Sequence, residues 1–375
     1  MTVPLGRLTR ADTSVWLDGV GRDLLRGGTF ARMAALYGVS GAVTGPACLA
    51  WPINSTQQYD RELAQCAASG VTAEDALRSL IACNARWACD VLRPLHQASA
   101  GMDGWVSVGM DPRPAHDALH TVAEAHAVRQ LVGRPNLVVE IPATNAGLQA
   151  MRTCLAEGIG VHATRVFSPS RLLRVHEAFQ AGLEQAVRAG RGPASAAAFA
   201  SFAVGHLDQA ADVFLARVGT ARAERLRGQI AIATARLAHE RWQSLAHTGL
   251  RAERLLWHVF TVPRRDPAHP RNPAHDDARR AESLSLPGTI TLLPEATLRA
   301  LASHGPGADH VLLGRFPAAR EVMDEAAALG LDVEAVAETL ARRSLAAAVA
   351  GWAELADTVD AAMNGELVRP PAHVQ

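Results

Sequence analysis

Three residues combine a suitable chemical type with a suitable position for proton transfer: Asp18, Glu140 and His162. Glu140 is the one charge in the run Asn136-Leu-Val-Val-Glu-Ile-Pro-Ala-Thr144, near its C-terminal end. A short apolar run of this kind suits a strand covered on both faces, as in a parallel sheet. Asp18 closes Ser14-Val-Trp-Leu-Asp18, and His162 lies in Gly158-Ile-Gly-Val-His-Ala-Thr-Arg-Val-Phe-Ser168, a second apolar strand pattern. If these strands close into a (β/α)8 barrel, their C-terminal ends converge on one mouth, where such barrels keep their chemistry. Crowded carboxylates push one pKa upward, which leaves a protonated acid beside an ionised acceptor. Two carboxylates and an imidazole so placed can do general acid–base work. They could also ligate a divalent metal, or Glu140 could plug the site in an ion pair with an arginine.

The elements that would position them follow in order. Residues 19–37 read as a helix and Gly38–Thr44 as the second strand. A long helical region covers 56–98, with apolar residues three and four apart. Asp103–Gly109 reads as strand three, 113–133 as a helix, and Asn136–Thr144 as strand four. Gly147–Glu157 is a helix, 158–168 strand five, 169–189 a helix, Ala197–Ser201 strand six and 220–246 a helix. Leu255–Phe260 is strand seven and Gly288–Glu295 strand eight, with helices to about 364. Residues 262–287, rich in Pro, His, Arg and Asp, are long for a βα connection and read as a lid or flexible loop.

Composition narrows the classes. The formal net charge is zero, so nothing favours a nucleic-acid footprint. No apolar run is long enough to span a membrane, and the N-terminus lacks a signal core. Five cysteines without metal-ligand spacing fit a reducing cytoplasm. All 37 basic residues are arginine; the chain contains no lysine. A side-chain Schiff base therefore has no amine to form on, since arginine is too basic to serve as one.

The strand signatures resemble those of the transaldolase family. Ser14-Val-Trp-Leu-Asp18 is similar to its opening S-V-W-L-D, and Asn136–Thr144 to N-L-M-I-K-I-P-A-T. Gly104-Trp-Val-Ser-Val-Gly-Met-Asp-Pro112 resembles G-Y-V-S-L-E-V-S-P, and 158–168 resembles G-I-N-V-N-V-T-L-I-F-S. Ala200-Ser-Phe-Ala-Val-Gly-His-Leu-Asp208 resembles A-S-F-F-V-S-R-V-D. The resemblance runs from about 12 to 364 and implies a single (β/α)8 TIM barrel of transaldolase type with additional C-terminal helices, occupying the whole chain. It implies that Asp18 matches the catalytic aspartate, while Glu140 stands where the family carries its Schiff-base lysine. Gly45 and His162 fall on family asparagines, Gly109 on the glutamate that helps hold the catalytic water, and His206 on the phosphate-binding arginine. Thr164 and Ser201 are retained.

The losses at 45, 109, 47 and 203 all shrink side chains, while Val259 and Phe260 add apolar surface. This pattern predicts a wider, less polar pocket. The resulting expectation is a divergent enzyme without transaldolase activity, in specialised metabolism. It would do lyase, isomerase or cyclase chemistry, carbocation cyclisation included, through Asp18, Glu140 and His162. Thr44, Thr164, Ser201, His206 and Arg265 are the expected substrate contacts, with Arg264 and Arg265 as an anion clamp from the lid. A non-catalytic barrel that binds a metabolite or partner protein, and a metal-assisted aldolase, are the alternatives. No cofactor is expected on the leading reading. The partner is a small molecule, not nucleic acid or membrane, and the assembly a monomer or homodimer.

Overall fold

A computed structural model describes residues 13–192, 196–245, 253–258, 273–303 and 316–367. Eight strands pair in parallel and in sequence order, and the eighth returns to the first to close a barrel. They are β1 (Ser14–Asp18), β2 (Val39–Thr44), β3 (Trp105–Gly109), β4 (Leu137–Pro142), β5 (Gly160–Val166), β6 (Ala198–Ala203), β7 (Glu253–His258) and β8 (Ile290–Pro294). The helices that follow them are α1 (Thr29–Tyr37), α2 (Ala73–Ala98), α3 (Ala118–Val132), α4 (Asn145–Ala156), α5 (Pro169–Arg188), α6 (Ile230–Leu245), α7 (Pro273–Ser283) and α8 (Glu295–Ser303). Two more, α9 (Phe316–Ala328) and α10 (Val333–Met363), close the described chain. This is the (β/α)8 barrel with added C-terminal helices that the strand signatures predict.

The strand period of two builds the barrel in layers. Trp16, Trp105, Val138, Phe199, Leu256 and Ile290 share one apolar cluster inside it. Adding two to each of the first five positions gives Asp18, Ser107, Glu140, Ser201 and His258. The polar layer of the mouth is thus one pleat above an apolar floor. Gly41 is required by that floor: a Cβ there would lie 2.2 Å from the Trp16 indole. The outward-facing residues, such as Val139, Ile141, Val161 and Ala163, pack into the larger core beneath the helices.

Several boundaries differ from the sequence reading, each for a local reason. The helix expected over 19–37 is interrupted, because Gly27 and Gly28 adopt left-handed φ values of 74° and 72°. The region 56–98 divides into Asp60–Ala68 and α2 around Gly70, also left-handed. The helix expected over 220–246 divides into Ala221–Leu226 and α6 at Gly228. A helix at Val204–Val218 was not anticipated; its buried Leu207, Ala211 and Leu215 recur every four residues. Strand seven starts two residues earlier than expected. Part of the segment read as a lid, Pro273–Ser283, is α7, with proline at a position helices tolerate.

Candidate active site

β1, β4, β5, β6 and β7 bring their C-terminal ends to one cavity of about 410 Å³, lined among others by Asp18, Glu140, His162, Arg165 and His258. Glu140 reaches it because β4 starts after Asn136, whose amide donates to the carbonyls of Cys89 (3.0 Å) and Gly104 (2.8 Å). Those two bonds anchor the strand to α2 and to the start of β3. In the sheet Glu140 stands opposite Gly109 on one side and His162 on the other.

The Glu140 carboxyl is half-buried and accepts a hydrogen bond from Ser107 Oγ at 3.1 Å. Burial foremost, then the charge of Asp18, raises its pKa to about 7; Ser107, Arg165 and His258 only partly oppose this. It therefore holds its proton to a higher pH than an ordinary carboxyl. Burial pushes the His162 imidazole the other way, down to about 3, so it is neutral. Its Nδ1 lies 2.7 Å from Ser107 Oγ, and its Nε2 contacts Ser201 Oγ. Ser201, His162, Ser107 and Glu140 thus form one hydrogen-bonded chain across four strands, β3 to β6, into the mouth.

The other expected contacts divide. Thr44 and Thr164 line the same cavity, as do Ser201 and His206. His206 belongs to the helix Val204–Val218 and meets the Phe167 ring edge-on at 6.4 Å. Arg265, with Arg264, Val259 and Phe260, lies outside the described residues. Two site residues were not anticipated. His258 Nε2 comes within 3.5 Å of Asp18 Oδ2. Arg165 lines the cavity from β5, and period-two alternation from His162 would have sent it outward. Among the described residues no group of three or more His, Cys, Asp or Glu side chains is placed to hold a metal ion.

At two of the positions with small residues, Gly45 and Gly109, the backbone is closely packed. A Cβ on Gly45 would lie 3.2 Å from Gly109 N and Cα, and one on Gly109 would lie 3.0 Å from Pro46 Cδ. The two glycines let the ends of β2 and β3 close on one another, so the space left by the missing side chains is taken up by backbone.

The Transaldolase/Fructose-6-phosphate aldolase family profile matches residues 15–359. The transaldolase of Thermobifida fusca (strain YX) is 40% identical over 368 residues, covering 96% of this chain and 98% of the relative. Those of Parafrankia sp. (strain EAN1pec) and Acidothermus cellulolyticus are each 39% identical over 368 residues, covering 96% of this chain and 98% and 96% of the relatives. The chain belongs to the transaldolase/fructose-6-phosphate aldolase family. These relatives overturn the expectation of a divergent enzyme without transaldolase activity, and with it lyase, isomerase or cyclase chemistry on a larger, less polar substrate. Full-length similarity to transaldolases also displaces the alternatives of a non-catalytic barrel and a metal-assisted aldolase. The difference that remains within the family is local: Glu140 stands in the lysine slot, and no lysine occurs elsewhere in the chain. No helix among the described residues is long and apolar enough to cross a membrane.

Proposed function

We propose that this chain is a transferase of transaldolase type, moving a short ketol fragment between a ketose phosphate donor and an aldose phosphate acceptor at the barrel mouth. Its similarity to transaldolases along 96% of its length supports the reaction class. The observation that carries the mechanism is Glu140, a carboxyl with pKa about 7 facing Asp18 across the cavity.

Aldol cleavage needs a base for the hydroxyl proton and an acid for the carbonyl oxygen. Asp18, with His258 beside it, takes the proton of the donor hydroxyl carried by the far carbon of the bond to be broken, the carbon β to the carbonyl. The electrons of that carbon–carbon bond move toward the donor carbonyl, whose oxygen receives the proton of neutral Glu140. The first products are an aldehyde and an enol held in the cavity, with Asp18 protonated and Glu140 ionised. The aldehyde leaves and the acceptor aldehyde enters. Glu140 then withdraws the enol proton while the enol carbon attacks the acceptor carbonyl, and Asp18 returns its proton to the new alkoxide. Both carboxyls end as they began. No covalent bond to a side-chain amine is required, consistent with a chain that has no lysine.

A coupled assay of fragment transfer between sugar phosphates, run with and without borohydride, tests this reading. Transfer that survives borohydride and falls at least about tenfold in Glu140→Gln is expected. Absence of transfer by the unaltered chain would overturn it. Inactivation by borohydride only in the presence of donor would place the reaction on an amine and remove the proton-transfer route.

A further inference from the structure

The bulge in β5 turns one arginine into the mouth. The register of β5 against β6 shifts between Ala163 and Val166, and Arg165 within that step has φ 60°, in the left-handed region that side chains rarely adopt. Ala163 and Val166 both remain in the outer core, while Thr164 and Arg165 both line the cavity. A bulge is the device by which a strand re-aims a side chain against its alternation. One terminal nitrogen of Arg165, Nη1, donates to Ser344 Oγ on α10, which fixes the direction of the guanidinium. Its buried Nε has no hydrogen-bond partner among the described residues. Nor does any carboxylate among them lie within 4.0 Å of it: the Glu140 carboxylate acts on it only through space. His206, on the same cavity wall, is kept from protonating first by burial and then by the charges of His258 and Arg165.

The strained backbone marks Arg165 as a residue held in place by its surroundings, and its unsatisfied buried donor and a neighbouring His206 that resists a second positive charge both suit an anion at the guanidinium. The planar fork of arginine matches phosphate oxygens two at a time. We propose that Arg165, steadied by Ser344, is the seat for the phosphate of the substrate and so sets the preference for phosphorylated sugars. This rests on the transaldolase-type reading of the same mouth. The competing role for Arg165 is a counter-ion that holds down the pKa of Glu140.

Binding of inorganic phosphate to the resting protein, followed by calorimetry, needs no turnover and separates the two roles. The unaltered chain should bind phosphate, Arg165→Gln should bind it at least about tenfold more weakly, and Ser344→Ala should weaken it by a smaller factor. In kinetics Arg165→Gln should raise KM for a phosphorylated donor by a larger factor than KM for the unphosphorylated sugar. Ser344→Ala, which removes one hydroxyl, keeps the test open should Arg165→Gln fail to fold. Equal phosphate affinity in Arg165→Gln, or no phosphate binding by the unaltered chain, overturns the proposal. Equal affinity with a displaced pH limb assigns Arg165 to Glu140 instead. Arg165-dependent phosphate binding without fragment transfer sustains the seat and defeats the transaldolase-type reading alone.

Discussion

His258 Nε2 lies 3.5 Å from Asp18 Oδ2, although the two residues are 240 positions apart and β8 stands between their strands. The pair joins the first and seventh strands across the mouth, on the side that Glu140 faces through its electrostatic coupling to both. A protonated imidazole at this distance attracts the carboxylate and steadies its charge.

If His258 acts through Asp18, their losses overlap. Asp18→Asn is expected to lower kcat by about a hundredfold or more, and His258→Gln by a smaller factor. The double variant should then be no worse than a few-fold below Asp18→Asn. Losses that multiply in the double variant would show that His258 has work of its own.

The raised pKa of Glu140 has consequences for both rate and stability. The rate limb that reports its proton should lie near pH 7 in kcat/KM and be absent from Glu140→Gln. For stability, the folded value of about 7 exceeds the ordinary 4.5, so the folded chain holds this proton longer than the unfolded one. The stabilisation is complete below about pH 4.5 and is lost as pH rises through 7. Glu140→Gln should therefore raise Tm relative to the unaltered chain at pH 8 more than at pH 5, as thermal melts at the two pH values would show.

His162 works in the opposite sense. Its folded value of about 3 lies below the ordinary 6.5, so the unfolded chain takes up a proton that the folded chain refuses. Stability from this residue is present above pH 6.5 and is lost as pH falls toward 3. His162→Gln should flatten the acid side of a stability–pH curve. His162→Ala strands the hydroxyls of Ser107 and Ser201 and opens a cavity, at a cost of about 2–4 kcal/mol in denaturant unfolding at pH 7. An unchanged midpoint would mean the buried chain of hydrogen bonds contributes little.

Two substitutions test the scaffold beneath the site. Gly41→Ala drives a methyl into the Trp16 indole and should cost about 1–3 kcal/mol or more. Asn136→Leu removes both bonds that anchor β4 and leaves the Cys89 and Gly104 carbonyls without that donor, for about 2 kcal/mol. Chemical unfolding reads both. Stability equal to the unaltered chain in either would mean that the backbone adjusts at no cost.

Much of this architecture is determined by local pattern. Short apolar runs ending in Asp18 and Glu140, in a fixed order, dictate parallel strands, and the period of two then dictates which residues share the mouth layer with them. His162 and Ser201 follow from that rule without any knowledge of contacts. Arg165 does not: a bulge breaks the period, and only the packing of β5 against β6 and α10 reveals which way its side chain turns. The Asp18–His258 pair joins strands 240 residues apart, and its distance depends on how the barrel closes. The glycines at 45 and 109 read in sequence as lost side chains and therefore as added room. Only the tertiary positions show that the Gly109 backbone crowds a side chain at 45 and that Pro46 crowds one at 109. Sequence period determines direction along a strand, but distances across a closed barrel, and the consequences for pKa that follow from them, are decided by tertiary packing.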